Sequence, residues 1–259
     1  MKTIWISALA QDEARVAAVT GHLKRYGLQC QGHFWDHKDD NMAWRPAAEA
    51  ALEAKADMWL ILADDAEMGK PAVRYSLAMM ATALRARRGD SFPVTMLWNA
   101  TPPTNASLPQ LLQPVMVMSD DLANWQAKIV ARINMPGKMS APDYRLDILG
   151  DDRLGQWFEV GPRTGSWNGV MFGIAGDGAT IDFQAVGPAG ALPATSVLEF
   201  AQQGLQVEVA GRMLTAWAVR NSVDAASSYY VRVKGRAEAL LFMPYSEANN
   251  AEAVLISLL

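Results

Sequence analysis

The alternation of short apolar runs with helix-length stripes is the feature that most constrains this chain. Its first unit is "KTIWISALAQDEARVAAVTGHLKRYGLQCQGHFWD", residues 2–36. Residues 3–9 read as a strand apolar on both sides, as in the middle of a parallel sheet. In residues 12–26, Val16, Val19, Leu23 and Tyr26 are spaced three, four and three apart, which forms one stripe along a helix. Asp12 and Glu13 stand in its first turn, where the helix dipole favours acids, and Gly27 falls just past its end. The pattern repeats. Residues 28–35, 58–63, 92–98 and 114–118 read as further strands. Residues 46–56, 71–88 and 121–133 read as helices. Strands and helices that alternate over short connections predict a five-stranded parallel sheet of the flavodoxin type, with helices on both faces.

The second half follows a different pattern. It holds 13 of the 19 glycines, and short alternating runs are separated by turn residues. Strands are expected at 155–161, 167–175, 179–186, 196–201, 205–210, 213–221, 228–235, 238–244 and 253–259. Their regular spacing indicates an antiparallel β-sandwich or barrel. Pro136, Gly137 and Pro142 break any periodicity, so the expected domains are 1–135 (α/β) and 145–259 (all-β), with a linker at about 134–144. The glycines of 173–179 read as a hairpin turn rather than a phosphate cradle.

Composition excludes several partners. The net charge is −4, and 15 of the 23 basic residues share residues 1–140 with 14 acids, so neither half offers a basic face for nucleic acid. No window reaches the roughly 20 apolar residues of a membrane helix. The one cysteine, Cys30, forbids an intrachain disulfide, and no secretory h-region follows Met1, so a cytoplasmic location is expected.

In a parallel sheet, ligands bind at the carboxyl ends of the strands. The polar residues that follow strands one to three are therefore the candidate pocket: Ser7 and Asp12; Trp35, Asp36, Asp39 and Trp44; Asp64, Asp65 and Glu67. A phosphoacceptor site of the receiver kind is rejected. It needs an acid pair ending the first strand and a lysine after the fifth, whereas the chain reads "ISALAQDE" and "PVMVMSDD". Cys30, His33 and His37 give C-x2-H-x3-H, but positions 30 and 33 of a strand point to opposite faces, and no metal site is expected. No G-x-G-x-x-G, P-loop or G-x-S-x-G signature is present. The aromatics Trp157, Phe158, Trp167, Phe172, Trp217, Tyr229 and Tyr230 read as sandwich core rather than a ligand groove.

Residues 1–133 resemble a Toll/interleukin-1 receptor (TIR) domain. The likeness rests on "WISALAQDE" at the first strand end, "FWDHKDDNMAW" for the acidic loop closed by a tryptophan, and "KADMWLILADD" for the third strand, with Ala63 where the family has serine. The resemblance implies a flavodoxin-like module that assembles through its loops, as a homo-oligomer or with a protein partner. Some TIR domains instead cleave NAD with a glutamate on the helix after the third strand. Here that position falls at about Tyr75 or Ser76, the helix "KPAVRYSLAMMATAL" contains no acid, and the loop glycine expected near Asn41 is absent. The resemblance thus points to a non-catalytic signalling or assembly module, without a cofactor, fused to a β-sandwich binding domain. The alternative is a divergent NAD glycohydrolase or related nucleotide-processing enzyme. There Asp36, Asp39, Asp64 or Glu67 would supply the carboxylate, with Trp35 or Trp44 stacked on the base and NAD as ligand.

Overall fold

The computed structural model describes residues 1–38, 40–137, 139–245 and 252–259, and the chain divides into two compact units, Met1–Ser140 and Ala141–Leu259. In the first unit the order is β1 (Thr3–Ala8), α1 (Glu13–Arg25), β2 (Gln29–Phe34), α2 (Arg45–Glu53), β3 (Met58–Ala63), α3 (Asp65–Met68), α4 (Pro71–Arg88), β4 (Val94–Trp98), β5 (Met116–Ser119) and α5 (Trp125–Asn134). All strand pairs are parallel, in the order β2-β1-β3-β4-β5. This is the doubly wound flavodoxin-like arrangement, which reverses direction between β1 and β3.

Side-chain alternation builds two cores. Ile4, Ile6, Leu60 and Leu62 turn one way and pack against Val19 and Leu23 of α1 and Trp125, Ile129 and Ile133 of α5. Trp5, Ser7, Trp59 and Ile61 turn the other way and are buried just as deeply. The apolar helix α4 is buried on nearly every side from Val73 to Leu84, which a helix with so little polar surface requires. It stops where Gly89 takes a φ of +89° after three arginines in its last turns.

The second unit is entirely antiparallel. Its strands are β6 (Tyr144–Asp151), β7 (Gly155–Pro162), β8 (Ser166–Ala175), β9 (Thr180–Pro188), β10 (Gln202–Val209), β11 (Arg212–Asp224), β12 (Ser227–Lys234), β13 (Ala239–Pro244) and β14 (Val254–Ser257). Among the described residues they form two sheets, β10-β11-β8-β13-β14 and β6-β7-β12-β9. Phe158 of one sheet lies 5.7 Å from Phe172 of the other, and Phe172 stacks on Phe242 at 6.3 Å, so the core is that of a sandwich.

Three expectations are corrected here. Residues 144–151 form β6, an unanticipated strand directly after Pro142. Residues 196–201 are not a strand, although they alternate like one, because their backbone is held by a side chain: Asn221 Nδ2 donates to Val197 O and Asn221 Oδ1 accepts from Glu199 N–H. Residues 173–179 do not close a hairpin. Residues 173–175 complete β8, and residues 176–179 carry the chain to β9 in the other sheet.

Candidate functional site

The carboxyl ends of the five parallel strands form the edge where a flavodoxin-like sheet holds its ligand. Arg15 occupies much of it. The Asp12 carboxylate caps α1 by accepting from the Arg15 backbone N–H at 2.9 Å, which starts the helix and aims the Arg15 side chain over the sheet. There the guanidinium donates to Ala63 O at the end of β3 (3.3 Å) and to Leu97 O of β4 (2.9 Å). It also pairs with Asp120, just past β5, at 2.9 Å. Both side chains of this pair are largely buried, so the ends of β3, β4 and β5 are tied together by the protein's own cation.

A second contact lies at the ends of β1, β2 and β3. His37 Nε2 is 3.0 Å from Leu9 O, an atom that can only accept, so Nε2 carries the proton. The same nitrogen is 3.5 Å from Glu67 Oε2, and Lys70 binds both Glu67 oxygens at 2.7 and 2.8 Å. Glu67 sits on α3, whose N-cap is Asp64, accepting from the Glu67 N–H at 2.9 Å.

Of the predicted pocket residues, Glu67 and Asp64 reach this edge together. Asp12 serves as a helix cap, and Asp65 stands exposed in the first turn of α3. Asp36 is exposed and pairs with Lys38 at 2.8 Å. That contact holds its carboxyl below the ordinary range, chiefly through the Lys38 hydrogen bond. Asp39 lies outside the described residues. Ser7, Trp35 and Trp44 are side chains of the interior. Ser7 Oγ accepts from Trp59 Nε1 at 2.9 Å, and Trp35 and Trp44 are 4% and 3% exposed, too enclosed to stack on a base from solvent.

His33 lies between Trp5 and Trp35, each ring centre 5.6 Å away, and burial lowers its pKa to about 4. Cys30 faces the opposite side of β2 and packs, as Val16 does, against the core under α1, where burial pushes its thiol up. Among the described residues no three His, Cys, Asp or Glu side chains come together as a metal site would need.

Arg15, Asp120, His37 and Lys70 were not among the expected residues. The signal was present for two of them. Arg15 stands three positions after a helix-capping acid, and Asp120 is the first acid after the strand-like run "PVMVMS", at the point where a ligand-binding group belongs.

Comparison with known proteins adds little. No family profile matches the chain, and no curated protein does. A solved structure of a response regulator receiver protein from Pseudomonas putida is similar over 51% of this chain and 95% of its own length, at 11% identity and a TM-score of 0.32. The flavodoxin-like assignment rests on the sheet order. No helix of the described residues is long and apolar enough to cross a membrane.

Proposed function

We propose that the first unit is a non-catalytic, TIR-like assembly module and that the β-sandwich is a binding domain it carries. The observation that supports this is the Arg15–Asp120 pair. A dinucleotide lying along the carboxyl edge from the β1–β3 switch point would also need open space and unpaired donors at the neighbouring strand ends, and at β3 to β5 those are taken up by an internally satisfied ion pair. The absence of a carboxylate from α4 points the same way, because glycosidic cleavage of NAD needs a charge to stabilise the oxocarbenium-like transition state. In this reading the loop acids Asp36 and Asp65 make protein contacts. The module acts inside the cell, by self-association or by binding a protein partner.

The alternative, a divergent NAD glycohydrolase, draws support from the His37–Glu67 contact, which places a carboxylate and an imidazole side by side at the β1–β3 switch point. Incubating the full chain with NAD separates the two readings. Nicotinamide release that Glu67→Ala abolishes would make it an enzyme. Absence of release, with a mass that rises with concentration in light scattering, is the outcome the assembly reading requires.

A further inference from the structure

The two edges of the parallel sheet are built differently. β5 is four residues long and runs into Asp120 and Asp121, a short and charged edge of the kind that resists pairing. β2 is six residues, Gln-Cys-Gln-Gly-His-Phe, with no charge, no proline and an unbroken register against β1. Gln29 N–H donates to Lys2 O and Trp35 N–H to Ala8 O. With two-residue alternation, the odd-numbered residues therefore bond to β1. The N–H and C=O of Cys30, Gly32 and Phe34 turn outward, to the side where no further described strand pairs. Gln29, Gln31, Gly32 and Phe34 are exposed.

Beside this edge, on the α1 side, lies an open hollow of about 260 Å³ lined by Ile6, Val16, Thr20, Cys30 and Phe34. Phe34 itself is 36% exposed at its rim. The helix above is charged in opposite senses at its two ends. Asp12 and Glu13 stand near the Phe34 end of β2, and Lys24 and Arg25 near the Gln29 end.

We infer that β2 is the surface on which a second copy of this chain docks, antiparallel and centred on Gly32, joining two five-stranded sheets into one of ten strands. This rests on the assembly reading above and names its surface. Three independent features agree with it. The outward groups are self-complementary: Gly32 faces Gly32, and Cys30 faces Phe34, so each of the three residues exchanges N–H and C=O with its opposite. The side chains are complementary too. A two-fold axis normal to the sheet keeps both copies of α1 on the same face and brings each Phe34 to the mouth of the other copy's hollow, beside Cys30. Charge completes the match, because the acidic first turn of one α1 then runs alongside Lys24 and Arg25 of the other. Gly32 is not itself a useful probe, since a Cβ there would lie 2.1 Å from Ile6 O.

The test uses the full chain in sedimentation or light scattering over a concentration series, with three sets of variants. Phe34→Asp puts a charge into the hollow and is expected to weaken association about tenfold or more while leaving the circular dichroism unchanged. Lys24→Glu and Glu13→Lys should each weaken it, and the double swap should restore it. Opposed Cα atoms in such a pair are about 5.5 Å apart, within disulfide range. Phe34→Cys treated with diamide should therefore yield a covalent dimer linked from Cys30 to position 34, whereas Tyr26→Cys should not. Association of the wild type that survives Phe34→Asp, with no such crosslink, would overturn the β2 surface and leave the assembly reading standing. A wild type that stays monomeric throughout would overturn both, and would leave the edge to a strand from some other protein.

Discussion

Arg15 Nη2 and Asp120 Oδ2, 105 residues apart in the chain, meet at 2.9 Å over the carboxyl edge of the sheet. The contact joins the helix after the first strand to the loop after the last. Because Arg15 also satisfies Ala63 O and Leu97 O, it closes the edge with four elements of the first unit. Removing one partner leaves the other largely buried and uncompensated, which costs more than the pair contributes in an exposed setting. Arg15→Met is expected to lower stability by about 1–3 kcal/mol in urea unfolding. Adding Asp120→Leu should recover part of that loss, since the orphaned carboxylate then disappears. Strict additivity of the two substitutions would show that the residues do not interact.

Ser7 gives a prediction of a different kind. The hydroxyl is buried and accepts from the Trp59 indole N–H, so Ser7→Ala leaves that donor without a partner in the interior. The expected loss is about 1–3 kcal/mol. Nicotinamide release or partner binding should not respond to it beyond the loss of folded protein. A change in either at constant folded fraction would put Ser7 back in a functional site.

His33 makes stability depend on pH. Its folded pKa is lowered to about 4 by burial between Trp5 and Trp35, against 6.5 when unfolded. Between those values the unfolded chain binds the proton that the folded chain refuses, so stability falls as pH drops from 6.5 towards 4 and is fully present above 6.5. The expected loss across this window is about 2 kcal/mol. Asp36, Asp57, Asp182 and Asp224, whose folded pKa values are lowered, change stability mainly below their unfolded value of 3.8, so most of this window is left to His33. Urea titrations at pH 7.5 and 4.5 check it. His33→Phe should flatten the dependence, and an unaltered slope would assign it elsewhere.

The catalytic alternative makes its own prediction. Both Glu67 oxygens are engaged by Lys70, and His37 shares one of them. On the assembly reading, wild type, Asp36→Ala and Glu67→Ala all fail to release nicotinamide from NAD at high protein concentration. Release by the wild type that one of the two substitutions abolishes would place the reacting carboxylate at that residue.

The strands and helices of the first unit were legible because burial imposes its period directly. Apolar β3 is buried along its whole length, and α4 fits between an N-terminal proline and a closing glycine. The second unit was harder to read, since alternation alone does not distinguish a paired strand from a loop gripped by one side chain. Val197 and Phe200, 81% and 76% exposed, belong to such a loop beside Asn221. At the candidate site the acids stood out because strand-end loops are polar. Their fates did not, because an N-cap such as Asp12 or Asp64 looks like a ligand until the backbone N–H it accepts from is known. For Arg15 the sequence marks the helical turn but not the partner. The arginine is one residue before the apolar Val16, and only the fold brings it to Asp120.

The most direct test of the account is the mass of the purified full chain in solution, followed by light scattering as concentration is raised. The wild type is expected to convert from monomer to dimer at concentrations where Phe34→Asp remains monomeric. A wild-type protein that stays monomeric at every concentration, with no increase in mass, would contradict that expectation.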